Sequence, residues 1–254
     1  MRNRTPTVSI IIPAYNAAKT IARTLDSAAA AVNSCVEKGL AVEAEIIVVD
    51  DCSTDETARI VESGNGQKKL IRQTANRGAA AARNEGVRQA GGTFLFFLDA
   101  DDVFYENHIH TCLTALLEDD TLGYVFTRVK IDMPMHEDWR ASLDESCPIN
   151  FCVRRVWHDM ILGFPEEPDF RTYGTEDTLY RACLRRLVQH KKCDIETCEQ
   201  FASPGNALDR QREKFRHSKA AWQSKGIDDG FRLTPQMESV AAARFERVAK
   251  LRGG

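Results

Sequence analysis

The sequence predicts an α/β protein with a mostly parallel central sheet flanked by helices. Short β-branched or aromatic runs alternate with helix-patterned segments through the first hundred residues. The apolar run 93–98, opened by Gly91-Gly92, reads as a strand buried on both faces. It stops at Asp99-Ala100-Asp101-Asp102, and each earlier strand also runs into a loop with distinctive polar residues. In a parallel sheet those loops share one edge, where open α/β sheets bind ligands.

The first strand is Val8-Ser9-Ile10-Ile11-Ile12, followed by Pro13-Ala14-Tyr15-Asn16. A helix comes next, with Ile21, Leu25, Ala28 and Val32 on one face, Asn16 placed to cap its start and Gly39 to stop it. Ile46-Ile47-Val48-Val49 is a second strand ending in Asp50-Asp51. Ser53 and Glu56 have capping-box spacing, which starts a helix near Thr54. Ser63-Gly64-Asn65-Gly66 is a turn and Leu70-Ile71-Arg72-Gln73 a third strand. After Asn76-Arg77-Gly78 comes an alanine-rich helix whose glycines permit close approach to a neighbour; Arg77 and Arg83 are the cations of this stretch.

Beyond Asp102 the rhythm changes. Residues 109–117 read as helix, 124–131 as an alternating strand, and 133–149 as a loop able to cover the site. Residues 150–155 read as a returning strand, and 157–162 as a short helix closed by Gly163-Phe164-Pro165. Thr175 is placed to cap a helix with Glu176 and Asp177 in its first turn, where the helix dipole favours carboxylates. From Asn206 the composition shifts to charged helix formers. After Pro235, the face Met237, Ala241, Phe245 and Val248 either packs on the body or meets a membrane surface or partner.

A chain of 254 residues with 43% hydrophobic and 28% charged residues is long enough for a substantial core. The net charge of −3 and the lack of a basic block argue against a nucleic-acid binder. No secretory leader pattern opens the sequence and no apolar run approaches bilayer length, so the expectation is a cytoplasmic chain, at most peripheral to a membrane. The eight cysteines are expected as reduced, mostly buried thiols; the C-x₄-C pairs Cys147/Cys152 and Cys193/Cys198 are not zinc-knuckle spacings.

The acidic strand end carries the chemistry. Carboxylates at Asp99, Asp101 and Asp102 repel one another, and a cation relieves that repulsion. Oxygen-only ligation suits Mg²⁺ or Mn²⁺, held by one or two carboxylates and completed by substrate phosphates. A metal–diphosphate site of a sugar-nucleotide transferase follows as the working reading; the bland alternative is a solvated acidic turn.

The motifs also line up in order: V-S-I-I-I-P-A-Y-N at 8–16, I-I-V-V-D-D-C-S-T-D-E-T at 46–57, N-R-G-A-A-A-A-R-N-E-G at 76–86, F-L-F-F-L-D-A-D-D at 94–102, then G-F-P-E at 163–166 and T-E-D at 175–177. Over roughly residues 7 to 190 the chain resembles the family 2 inverting glycosyltransferases of the GT-A fold. The resemblance implies that Pro13, Tyr15 and Asn16 line the nucleotide pocket and that Asp51, with Asp50, hydrogen-bonds a uracil ring. It puts Gly78 and Arg83 along the nucleotide and its phosphates, Asp99 and Ala100 by the ribose or donor sugar, and Asp101 and Asp102 on a metal that bridges the diphosphate. Glu176-Asp177 matches the E-D motif, with Asp177 as general base, Glu176 orienting, and Arg181 where the motif often has arginine. Relatives often complete the phosphate site with a His or basic segment after the E-D helix; residues 199–206 lack His, which leaves Asn206 or a nearby arginine to substitute.

The implied partners are a nucleotide-sugar donor, UDP-linked by family habit, and a glycan, lipid-linked or other hydroxyl acceptor; a homodimer is left open. The implied organisation is a catalytic domain over 1–205 (nucleotide half 1–102, acceptor half 103–205) with a helical extension over 206–254. A haloacid-dehalogenase-like phosphoryl-transfer enzyme also places D-x-D after an apolar strand, but near the chain start and followed by Thr or Gly, whereas Val103 follows here. A sugar-1-phosphate nucleotidyltransferase needs a glycine-rich loop where Pro13-Ala14-Tyr15-Asn16 stands. A non-catalytic sugar-nucleotide-binding module would retain Asp51 and the acidic strand end without needing Glu176-Asp177.

Overall fold

A computed structural model describes residues 5–64, 66, 68–203, 205–224 and 233–253. Asn65 of the expected turn and Pro204 of the 199–206 segment lie outside the described residues.

The expected alternation is present. It runs β1 (Thr7–Ala14), α1 (Ile21–Glu37), β2 (Glu43–Asp50), α2 (Thr57–Ser63), β3 (Lys69–Arg72), α3 (Ala79–Arg88) and β4 (Phe94–Phe97). The chain continues with β5 (Val103–Phe104), α4 (His108–Glu118), β6 (Leu122–Ile131), α5 (Arg140–Ser146), β7 (Phe151–Arg154) and α6 (Arg155–Met160). It continues with α7 (Pro168–Tyr173), α8 (Glu176–Leu187) and β8 (Gln189–Gln200). Short helices α9 (Ala207–Arg210), α10 (Arg212–Phe215) and α11 (Lys219–Ser224) precede α12 (Pro235–Gly253).

Among the described residues, one sheet contains eight strands in the order β3-β2-β1-β4-β7-β6-β8-β5. β3, β2, β1 and β4 run parallel, as the crossover helices require. β7 then enters antiparallel to β4 and β6, so the second half of the sheet is mixed. Side chains alternate to two apolar layers. Ile10, Ile12, Phe96 and Leu98 face one layer with Ile21, Leu25, Ile109 and Leu113 of α1 and α4. Ile11, Val49, Leu95 and Phe97 face the other with Ala82 and Val87 of α3 and Tyr180 and Leu184 of α8.

Several local expectations are corrected. Asn16 does not cap α1, which starts only at Ile21; its backbone is left-handed (φ 49°) and its carboxamide accepts from Thr54 N–H at 2.9 Å. The Ser53–Glu56 capping box is not formed either. Ser53 Oγ accepts from Asn16 N–H at 2.9 Å, and α2 begins three residues later than expected, with Asp55 accepting from Thr57 N–H at 3.0 Å. In both cases a link between the β1 and β2 loops takes the side chain a local cap would have used. Residues 133–149 are not an open loop: a turn at Glu137–Trp139 leads into α5, which packs against β6 and α8.

The apolar face of α12 is covered. Met237 and Val248 are buried, and Val240, Ala241 and Phe245 pack beside them on the α3–α8 layer. Arg244 donates to the carbonyls of Ile161 and Gly163, tying the helix to the body. Among the described residues no helix is long and apolar enough to cross a membrane. All eight cysteines are free, six of them buried.

The close approach expected from the glycines of α3 is real: a Cβ on Gly86 would lie 2.4 Å from Ile11 Cγ2 of β1. We predict that Gly86→Ala lowers unfolding free energy in urea by about 1–3 kcal/mol through overpacking, whereas Ala80→Ser on the same helix is near neutral.

Candidate active site

The loop after β4 meets the head of α8 around one buried cation. Arg83 of α3 is 3% exposed. Its Nη2 donates to Asp99 Oδ1 at 2.6 Å, at the end of β4, and its Nη1 lies 3.4 Å from Glu176 Oε1, the first residue of α8. The guanidinium also lies 5.3 Å from the Phe164 ring centroid. Burial alone would disfavour this charge, but Asp99 and Glu176, with Asp177 behind them, more than restore it. Arg83 is therefore occupied by two carboxylates from opposite halves of the chain, rather than open to a phosphate.

The segment that carries Glu176 and Asp177 is fastened to α3 by side chains. Asn84 accepts from Phe164 N–H at 2.9 Å, returns a bond to Phe164 C=O at 2.9 Å, and donates to Glu166 at 2.8 Å. Arg77 pairs with Glu166 at 2.8 Å, and Arg171 donates to both Asn76 C=O and Asn76 Oδ1 at 2.8 Å. Gly163 (φ 63°) has to be glycine for space as well as angle, since a Cβ there would lie 2.4 Å from Asn84 Oδ1. Thr175 occupies the N-cap position of α8 but does not cap it. Its backbone is left-handed (φ 78°), which swings Oγ1 away from the first-turn N–H groups and leaves it buried without a partner. The residue that follows this strained turn, Glu176, is the one that pairs with Arg83.

Asp177, half-buried, is pushed up to about 7, first by burial and next by the Glu176 charge, against the pull of Arg83. Its Oδ1 accepts from Thr178 N–H at 2.7 Å. Glu176 is half-buried beside it.

The acidic strand end divides its labour. Asp99 faces Arg83. Ala100 is buried, its carbonyl accepting from Thr24 Oγ1 at 3.0 Å. Asp101 Oδ2 accepts from Asn206 Nδ2 at 2.9 Å and lies 3.4 Å from Ser203 Oγ. Asp102 is buried and turned toward the end of β8, accepting from Phe201 N–H at 3.0 Å and Gln200 Nε2 at 3.3 Å. Burial raises the Asp101 carboxyl, and burial with the charges of Asp101 and Asp99 raises Asp102 well above the usual carboxylate range. Among the described residues, no group of three His, Cys, Asp or Glu side chains forms a ready cation cage. One or two carboxylates with phosphate oxygens completing the shell are what Mg²⁺ and Mn²⁺ take. The oxygen-only donors and their unrelieved mutual repulsion fit such an ion, with Asp101 the more available ligand and Asp102 already engaged.

At the ends of β1 and β2, Pro13 lies in β1 opposite Val49 and Tyr15 stands 51% exposed just beyond the strand. Asp50 is buried and accepts from Ser53 N–H at 3.0 Å, holding the loop after β2. Asp51 is buried with Oδ1 accepting from Arg77 N–H at 2.8 Å and Oδ2 from Gly78 N–H at 2.7 Å. Burial still raises its carboxyl despite those bonds. Each carboxylate oxygen keeps a second lone pair, so Asp51 shapes the entry to α3 and retains capacity for a ligand N–H. Gly78 (φ 91°) admits the side chain of Arg171, whose Cγ lies 3.2 Å from where a Cβ would be.

A model of glycosyl transferase family 2 matches residues 9–188. The chain belongs to that family. The hyaluronan synthase of Pasteurella multocida is 39% identical over 127 residues, which is 49% of this chain and 12% of that protein. This family 2 member thus spans a small part of the relative's length. Among solved structures, residues 1–349 of S. aureus TarS in complex with UDP-GlcNAc superpose with a TM-score of 0.65 at 21% identity, over 96% of this chain and 71% of that one. The mannosyltransferase PcManGT of Pyrobaculum calidifontis, in complex with GDP-Man and Mn²⁺, gives 0.64 at 21% identity, over 98% and 76%. The fold is GT-A, as the motif order implied.

Sequence reasoning missed Arg23, Thr24, Gln200 and Phe201. Thr24 Oγ1 holds the carbonyls of Ala100 and Asp102, and nothing in a single helix sequence signals such a distant contact. Asn206 was singled out, and it does reach Asp101.

Removing the central cation leaves Asp99 and Glu176 facing each other partly desolvated. We predict that Arg83→Met costs about 2–4 kcal/mol of stability in denaturant titration, while Arg83→Met combined with Asp99→Asn and Glu176→Gln recovers most of the loss.

Proposed function

We propose that this chain is an inverting, metal-dependent glycosyltransferase. It moves a sugar from a nucleoside-diphosphate sugar, UDP-linked, to a hydroxyl of a glycan, lipid-linked or other acceptor in polysaccharide or glycoconjugate synthesis. The observation that carries this reading is the double ion pair of Arg83, which holds the acidic end of β4 and the carboxylates of α8 around one space. A diphosphate leaving group and a base for the incoming hydroxyl belong on the two sides of such a space.

In this reading, Pro13, Tyr15 and Asn16 line the nucleotide pocket, with Tyr15 offering an exposed ring against the base. Asp51 accepts from an imide N–H of uracil with its remaining lone pairs, and Asp50 keeps its loop in place. Gly78 lets the backbone run close to the nucleotide. Asp99 and Ala100 lie by the ribose or donor sugar. Asp101, with Asp102 behind it, would hold Mn²⁺ or Mg²⁺, which when bound neutralises charge on the departing diphosphate. Asp177 removes the acceptor hydroxyl's proton while that oxygen forms its bond to the anomeric carbon. The bond from that carbon to the diphosphate oxygen breaks in the same displacement, so configuration inverts and no covalent intermediate forms. Glu176, anchored on Arg83, orients Asp177 and keeps its proton affinity high. Residues 1–205 constitute the catalytic unit, with α12 packed on its α3–α8 layer and Asn206 reaching Asp101.

A carboxylate with a proton affinity near neutrality is suited to take a proton at physiological pH. Nucleoside-diphosphate release from a panel of nucleotide sugars, with mixed glycan acceptors and Mn²⁺, tests the reading; phosphatase activity indifferent to the nucleotide sugar would overturn it. Because Asp177 works deprotonated, turnover should rise with pH to a plateau with a midpoint near 7, and Glu176→Gln should move that limb to lower pH. Asp177→Asn should retain donor binding and lose turnover by about 10²-fold or more. Asp177 is harder to ionise in the folded chain than unfolded, so its ionisation costs stability as pH rises. Asp177→Asn should therefore be more stable than the parent above about pH 7, the difference shrinking as pH falls from there and gone once it reaches the usual carboxylate range.

A further inference from the structure

We propose that Arg23 binds the diphosphate of the donor and is the cation that the segment after α8 does not supply. The inference rests on the donor reading above. The arginines already placed around the sheet edge are engaged elsewhere: Arg83 with Asp99 and Glu176, Arg77 with Glu166, and Arg171 with Asn76. Residues 199–206, where relatives' basic or His side chain was expected, contain neither Arg, Lys nor His.

Arg23 lies in the first turn of α1 and reaches across to the acidic loop. Its Nη2 donates to Asp101 C=O at 2.7 Å, and its guanidinium lies 3.9 Å over the centroid of the Phe201 ring. Phe201 N–H in turn binds Asp102, and Asn206 binds both Phe201 C=O and Asp101. Thr24, the next residue, holds the carbonyls on either side of Asp101. Arg23 is thus fixed against the loop that would hold the metal, by a helix that is itself anchored there. Its side chain is exposed, and among the described residues no carboxylate lies within 4.0 Å of it. One carbonyl contact leaves most of its five donors and its full charge available.

A cation held by Asp101 would bring phosphate oxygens to this point. A planar guanidinium already stacked and oriented beside them offers a bidentate contact with little further ordering. Charge developing on the leaving diphosphate would be met there by a group whose position is set before the donor arrives. The alternative is that Arg23 only steadies the Asp101 carbonyl. Arg23→Gln separates the two, since a carboxamide can still donate to that carbonyl but carries no charge.

Calorimetric titration in Mn²⁺ would compare UDP with uridine, and GDP with guanosine, for the parent chain, Arg23→Gln and Arg23→Lys. The parent should bind one diphosphate far more tightly than its nucleoside. Arg23→Gln should weaken that diphosphate by about tenfold or more, leave the nucleoside unchanged, and Arg23→Lys should fall between. Diphosphate affinity unchanged in Arg23→Gln, or diphosphate and nucleoside weakened alike, would overturn the assignment. A parent chain that binds neither diphosphate better than its nucleoside would overturn the donor reading itself, and Arg23 with it.

Discussion

The site depends on one buried guanidinium. Arg83 leaves α3 in the middle of the molecule and binds carboxylates that arrive from sequence positions far apart, Asp99 and Glu176. Burial works against the Arg83 charge, and these two carboxylates are what keep it there. The consequence is geometric. The strand end that would receive the diphosphate and the helix that would carry the base are linked through one cation, and the proton affinity of Asp177 is raised first by burial and next by Glu176, against the pull of Arg83. Local rules give way around this link: Thr175 adopts a left-handed backbone with an unpartnered hydroxyl, and Asn84 serves as a two-way clamp on the Phe164 backbone.

A second constraint holds the opposite side. The loops after β1 and β2 are joined through Asn16, Ser53 and Thr54, and the loop after β4 is fastened to α1 through Thr24 and to the end of β8 through Asp102. Each link takes a polar side chain from local secondary structure and gives it to a neighbouring loop. The result is a sheet edge whose loops are pre-formed before any ligand arrives, which lowers the ordering cost of binding.

The first half of the fold was legible because its signals are local and strong. Buried parallel strands appear as β-branched or aromatic runs, and Ile10, Val48 and Phe96 lie where those runs put them, fully buried. The strand β8 was not legible: its first residues, Gln189 to Lys192, are exposed and polar, so no alternation marks them. Capping assignments failed for a related reason. Asn16, Ser53 and Thr175 each have the chemistry of a cap, but tertiary partners or backbone strain claim them. The acidic residues were found readily, since three carboxylates after a buried strand need an explanation. That Arg83 would face carboxylates instead of phosphate was invisible, because pairing across such a distance in sequence leaves no periodic trace. The E-D pair was found only through the order of motifs around it.

The central claim is that the edge formed by Asp51, Asp101 and the Arg83-linked carboxylates receives a nucleoside diphosphate together with a divalent cation. The most direct measurement is thermal unfolding of the parent chain with UDP, with Mn²⁺, and with both. The account predicts a rise in midpoint with the pair that exceeds the sum of the separate effects, because metal and diphosphate complete each other's coordination. A midpoint indifferent to the combination, with UDP and with every other nucleoside diphosphate tried, would contradict it.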